Sequence, residues 1–176
     1  KGAIIDLVNR TRLPVRPTEQ LPTERNRYAV GLRFNKRFST STLRVEQRFY
    51  IDSWATKAST TDSRYMVDLS RHIRVWPHAR LHIQTAANFY RLAYSAVTDS
   101  SGRWILPTYR TGDRELSSLF TVTAGGGTRI GLGPPEGDIK YGIVVSGDLM
   151  YSIFPNSLYV TRRTALYGTV GFDVEF

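Results

Sequence analysis

The chain has 176 residues, 24 Lys and Arg against 15 Asp and Glu for a formal charge of +9, and no cysteine. That length suits one domain or one small barrel, and the lack of Cys excludes a disulfide framework, a thiolate metal site and a Cys nucleophile. No stretch approaches the roughly 20 apolar residues that a spanning helix needs, since Ile143–Val145 is broken at once by Ser146, Gly147 and Asp148.

Eight segments read as strands in chain order: Ala3–Leu13, Arg27–Phe38, Thr42–Asp52, Arg64–Val75, Arg80–Tyr94, Leu116–Leu132, Ile139–Phe154 and Thr164–Phe176. Helical periodicity competes in none of them. Tyr28, Val30, Leu32 and Phe34 alternate with Ala29, Gly31, Arg33 and Asn35, and Leu43, Val45, Phe49 and Ile51 alternate with Arg44, Glu46, Arg48 and Asp52, as strands with one apolar and one polar face require. The connections alternate in length: Pro14–Asn26 long, Ser39–Ser41 short, Ser53–Ser63 long, Trp76–Ala79 short, Ser95–Glu115 very long, Gly133–Asp138 short and Pro155–Arg163 intermediate. Gly125, Gly126 and Gly127 are not followed by a phosphate-loop Lys, so a bulge or close packing is expected there. The run from Gly133 to Gly137, with Pro134 and Pro135, reads as a stiff turn.

The last strand places Leu166, Gly168, Val170, Phe172, Val174 and Phe176 on one parity and Tyr167, Thr169, Gly171, Asp173 and Glu175 on the other. A terminal Phe176 with Phe172 and Val174 in phase resembles the C-terminal assembly signal of Gram-negative outer-membrane β-barrel proteins. That resemblance implies an all-β, antiparallel up-and-down transmembrane barrel in the outer membrane, with the barrel-assembly machinery as a partner during biogenesis. Such barrels have short periplasmic turns and long extracellular loops, and a periplasmic Phe176 sends every long loop outside. Eight strands would put both ends on the periplasmic side. Aromatics are expected as girdles: Tyr28, Tyr50, Trp54, Tyr65, Tyr90, Tyr94, Tyr151 and Phe154 outside, Phe34, Phe38, Trp76, Tyr141, Phe172 and Phe176 inside. Lys36, Arg71 and Arg91 fall on the apolar parity near strand ends, where they can snorkel. A soluble barrel or sandwich has the same alternation with its apolar face turned inward. Because the chain opens on Lys1 and residues 1–13 lack the regions of a signal peptide, it reads as a mature chain or a fragment, and the eight strands as a barrel or the last part of a larger one.

The polar parity is nearly balanced in charge, which suggests a lumen network of paired ions built on Arg33, Arg44, Glu46, Arg48, Asp68, Asp148 and Asp173. The basic surplus is peripheral. Arg27, Lys57, Arg110, Arg162 and Arg163 are placed at the outer rim, where lipopolysaccharide presents phosphates that Arg grips bidentately. No nucleic-acid motif is present, and no cofactor is implied. His72 and His82 are expected to face each other across a turn at Pro77 and could share a metal only with a third ligand. Ser53 with Asp52 and Ser95 with Asp99 are partial constellations lacking a placed base. The leading expectation is a non-enzymatic membrane scaffold or anchor for partner proteins; a porin or transport channel for small solutes and a soluble ligand-binding barrel are the alternatives.

Overall fold

The computed structural model describes residues 1–132 and 140–175. After helix α1 (Gly2–Thr11) come strands β1 (Arg27–Arg37), β2 (Ser41–Asp52), β3 (Lys57–Asp68) and β4 (Ile73–Gln84). A long connection, residues 85–118, carries a small hairpin of β5 (Val97–Thr98) and β6 (Trp104–Ile105) and a 3-10 turn at Arg114–Leu116; β7 (Leu119–Leu132), β8 (Lys140–Ile153) and β9 (Arg162–Glu175) follow. The fold is all-β and antiparallel: seven long strands form one sheet in the order β1-β2-β3-β4-β7-β8-β9. Among the described residues β1 and β9 do not pair, so the sheet is open. The strands run from 11 residues in β1 to 14 in β9, well beyond the usual five or six of globular proteins.

The strand expected at Ala3–Leu13 is the helix α1, which leaves seven long strands among the described residues instead of eight. Ile4, Leu7, Val8 and Thr11 occupy one helical side at i, i+3, i+4 and i+7, a spacing that a short segment shares with partial alternation. Thr11 Oγ1 donates to the Leu7 carbonyl at 2.8 Å, and Arg10 in the last turn complements the helix dipole. Lys1 Nζ donates to the Ser157 carbonyl at 3.2 Å and the Tyr159 hydroxyl to Asn9 Oδ1 at 3.4 Å, holding the helix beside the β8–β9 connection.

The expected strands Arg64–Val75 and Arg80–Tyr94 are displaced: β3 begins at Lys57 and β4 ends at Gln84. Two signals misled. Ser59, Thr60 and Thr61 read as loop, yet they pair with Phe49, Arg48 and Gln47. Trp76–Ala79, read as a turn because of Pro77, lies inside β4, where Pro77 stands opposite Gly126. The β3–β4 ladder skips Tyr65 and Met66, opposite Pro77 and Trp76, as a residue without an N–H requires. The real turn is residues 69–72, and Arg71 sits in it.

Residues 12–26, 53–56, 85–118 and 154–161 gather at one end of the sheet, the loop end, and residues 38–40 and 69–72 at the other, the turn end. Long connections therefore still share one end, although 53–56 is short. With an odd number of long strands, α1 lies at the loop end and the end of β9 at the turn end, not both on one side as expected. The turn expected at Gly133–Asp138 and the terminal Phe176 lie outside the described residues.

The sheet has no covered apolar face. Val30, Leu32, Phe49, Leu81, Val122, Val145, Leu149, Leu166 and Val170 share one face and all remain exposed. The buried hydrophobic cluster is instead at the loop end, where Trp54, Ala87 and Leu116 pack with Leu21, Phe89 and Tyr90. Trp54 meets Phe89 edge-on at 5.2 Å, lies under the Arg25 guanidinium at 4.2 Å and donates from Nε1 to the Glu24 carbonyl at 2.9 Å. Among the described residues no helix is long and apolar enough to cross a membrane.

Candidate functional site

Strand register decides which charges meet. Arg33 stands opposite Glu46, and Glu46 opposite Asp62; directly opposed residues share a face, so these and their i±2 neighbours form one polar face from β1 to β9. On it Glu46 accepts from Arg33 Nε at 2.8 Å and from Arg44, while Asp68 accepts from Arg37 at 2.8 Å and Arg74 at 2.5 Å. Asp173 accepts from Arg129 Nε at 2.8 Å. Each of these three carboxylates thus serves a cation on a neighbouring or next-neighbouring strand. In water such pairs contribute about 0–1 kcal/mol each; their worth rises where solvent is excluded, because a lone charge there is costly.

The centre of the face is His78. Its Nδ1 is 2.8 Å from Asp148 Oδ1 and its Nε2 is 3.0 Å from Asp62 Oδ2. Two carboxylates face two ring nitrogens, and an imidazole satisfies both as donor when it carries both protons. Asp148 is on β8 and His78 on β4, so the bond crosses β7 at Gly125. A Cβ on Gly125 would overlap the Gly147 carbonyl oxygen and stand 2.5 Å from Asp148 Oδ1. The same device recurs at Gly142, where a Cβ would overlap Asp173 Oδ1 as it reaches across β8 to Arg129. At Gly127 the Trp76 indole takes the place of a side chain, with Cζ2 2.5 Å from a built Cβ. Gly125, Gly127 and Gly142 therefore leave room for long side chains to lie over or cross a strand.

At the loop end Asp52 is the anchor. Its Oδ2 accepts from Arg25 Nη2 at 2.6 Å and the Tyr50 hydroxyl at 2.8 Å, and its Oδ1 from the backbone N–H of Trp54 and Thr56. Those bonds close residues 53–56, where Ala55 takes a positive φ of 62°, and they leave Ser53 outside; its Oγ accepts from the Asn26 N–H. Asp99 likewise bonds Ser101 and Arg103 in the β5–β6 hairpin and not Ser95. These bonds hold the Asp99 carboxyl below its ordinary value, the Ser101 hydroxyl contributing most.

The expected network residues Arg33, Arg44, Glu46, Asp68, Asp148 and Asp173 each take part in an ion pair, whereas Arg48 lies on the same face without a carboxylate partner among the described residues. Asp62, Arg74, His78 and Arg129 join the network from outside the expected set, and Arg37 and Arg64 pair in it as well. Asp62 was hidden by the reading of 53–63 as loop, although it shares parity with Arg64 and Asp68. His72 and His82 do not meet: His72 is in the 69–72 turn, and His82 bonds Thr60 Oγ1 through Nδ1 at 2.8 Å nearer the loop end. No group of three or more His, Asp or Glu residues is placed to hold a metal among the described residues.

Arg27, Lys57, Arg162 and Arg163 start strands at the loop end, and Arg110 lies in the long connection. Arg110 is spent on loop structure, donating to the Thr18 and Pro107 carbonyls at 2.9 Å, and Arg163 pairs with Glu115 at 2.7 Å and stacks 5.6 Å from the Phe154 ring. On the apolar face, Tyr28, Phe49, Phe120 and Tyr151 lie toward the loop end and Phe34, Tyr65, Tyr141 and Phe172 toward the turn end, so Tyr65 moves from the outer to the inner group. Phe172 stacks on Tyr141 at 6.1 Å, and Val174 continues that face.

Neither a curated protein nor a solved structure matches the chain. A family model does match residues 6–132, from within α1 to the end of β7, and so most of the sheet. The chain belongs to the family described as "Protein of unknown function (DUF3570)".

Proposed function

We propose that the sheet is a wall of a transmembrane up-and-down β-barrel in the outer membrane of a Gram-negative bacterium, acting without catalysis as a scaffold or anchor for partner proteins. One observation carries the reading: the face bearing Leu32, Val145 and Val170 is uncovered along the length of the strands, while the opposite face holds cross-strand ion pairs. In water this arrangement is inverted; with hydrocarbon on the apolar side each face has its solvent. Strand length agrees. From Tyr141 to Tyr151 on β8 is ten steps of about 3.4 Å, which a tilt of roughly 40° projects to about 26 Å, near the ~25 Å apolar band of outer-membrane barrels.

On this reading the polar face is the lumen and the loop end is extracellular. Arg27, Lys57 and Arg162 are the rim cations available to lipopolysaccharide phosphates, and Phe172 and Val174 present the turn end of β9 to the assembly machinery. Edge strands β1 and β9 run in the same direction, so an even-stranded antiparallel barrel closes through an odd number of further strands between them. The test is fractionation: the protein should leave membranes only with detergent and migrate faster on gels unheated than boiled. Free solubility without detergent would overturn the reading. Planar-bilayer conductance separates scaffold from channel, a reproducible open pore favouring the channel.

A further inference from the structure

Among the described residues, ion pairing on the polar face leaves over Arg27 at the rim of β1 and, deeper on the face, two further guanidiniums. Glu46, Asp62, Asp68 and Asp173 are taken by arginines on their own or nearby strands, Asp148 by His78, and Asp52 by Arg25. Arg48 on β2 and Arg80 on β4 have no carboxylate within 4.0 Å among the described residues. Arg80 stands opposite Asp62 in register, but the Asp62 carboxylate turns to His78 and Arg64.

The two arginines border one cavity of about 290 Å³, whose wall also includes Arg25, Tyr50, Thr60 and His82. Register explains the hollow. Arg48, Thr60 and His82 form one row across β2, β3 and β4, and Tyr50, Ala58 and Gln84 the next toward the loops. Ala58 and Thr60 on the middle strand are short, so larger side chains on β2 and β4 rise on either side. Thr60 and His82 are bonded to each other at 2.8 Å, and the Arg25 charge is neutralised by Asp52. The cavity therefore carries an uncompensated double positive charge supplied by two planar forks from strands flanking β3.

We propose that this cavity binds an oxyanion of the phosphate class, as inorganic phosphate or as the phosphate end of a small phosphorylated solute. Guanidinium forks match the paired oxygens of phosphate, two of them balance a dianion, and the low-dielectric walls of a lumen focus their field. The volume lies at the lower end of small-molecule pockets, roughly 300–1,000 Å³, which admits a phosphomonoester as well as the bare ion. The proposal rests on the polar face being the lumen.

The experiment is calorimetric titration of the folded, detergent-solubilised protein at constant ionic strength with inorganic phosphate, glycerol phosphate and chloride. Phosphate should bind more tightly than chloride, and R48Q and R80Q should each weaken it about tenfold or more, the worth of a charge-assisted hydrogen bond. R103Q, in the β5–β6 hairpin away from the cavity, should stay within about twofold, and R48K should recover part of the loss. Tighter binding of glycerol phosphate assigns the site to a phosphorylated solute, and equal or weaker binding to the free ion. Phosphate binding no tighter than chloride, or unchanged in R48Q and R80Q proteins that retain native strand content by circular dichroism, would overturn the proposal. Heat-dependent migration of the same samples reports the barrel reading separately, so failure of one is distinguishable from failure of the other.

Discussion

Val170 and Thr169 are adjacent near the middle of β9, point to opposite faces and are both exposed, Val170 at 77%. Replacing either by Arg therefore creates no internal clash. In a water-soluble sheet each change should fall within about 0.5 kcal/mol of neutral. If the apolar face meets hydrocarbon, Val170→Arg places a charge near the bilayer midplane at a cost of roughly 2–4 kcal/mol, while Thr169→Arg faces the lumen and costs little. The ratio of folded to unfolded protein should drop roughly 30- to several-hundred-fold for the first variant and hardly for the second. Denaturant titration of the protein refolded in phospholipid vesicles reads both, with unheated gel migration as the probe of folding. Equal effects, or a larger loss for Thr169→Arg, would refute the assignment of faces.

Gly125→Ala should cost about 1–3 kcal/mol by overpacking and loosen the His78–Asp148 bond, because its Cβ would overlap the Gly147 carbonyl oxygen, whereas Gly168→Ala has open space and should be near neutral; equilibrium unfolding compares them. Trp54→Ala removes the ring at the centre of the loop-end cluster, at about 3–5 kcal/mol, so limited proteolysis should cut residues 85–118 while strand content persists. The Asp99 carboxyl, lowered from 3.8 first by the Ser101 hydroxyl and then by the Arg103 N–H, stabilises the β5–β6 hairpin above the ordinary carboxylate range, and that support is lost as pH falls through its lowered folded value. Amide exchange at Ser101 and Arg103 should accelerate only below the usual carboxylate range, and Asp99→Asn should abolish the transition.

Alternation made β1, β2, β7, β8 and β9 legible, since each keeps its apolar residues on one parity for most of its length. It failed where the apolar face itself turns polar: Gln47, Ser59 and Thr61 share that face and hydrogen-bond one another, Gln47 Nε2 donating to Ser59 Oγ at 2.8 Å and Thr61 Oγ1 to Gln47 Oε1 at 2.5 Å. Local satisfaction of those groups lets a strand continue where hydropathy reads a loop. Pro77 misled for a related reason, because its missing N–H falls where the β3–β4 ladder has a gap. Of the polar network, residues on well-read strands were found from parity. Asp62 and His78 depended on the displaced β3 and β4, and bonds across Gly125 and Gly142 link strands that are not neighbours, which no pattern along a single strand encodes.

The absence of cysteine permits the most direct measurement of the central claim. Single cysteines placed in turn at 166, 167, 169, 170, 172 and 173 of β9, in protein folded into sealed vesicles, can be challenged with a water-soluble, membrane-impermeant thiol reagent. The account predicts protection at Leu166, Val170 and Phe172, whose face meets lipid, and reaction at Tyr167 and Thr169, with Asp173 reacting more slowly beside Arg129. Uniform reactivity along β9, or protection of Tyr167 and Thr169 with reaction at Val170, would contradict it.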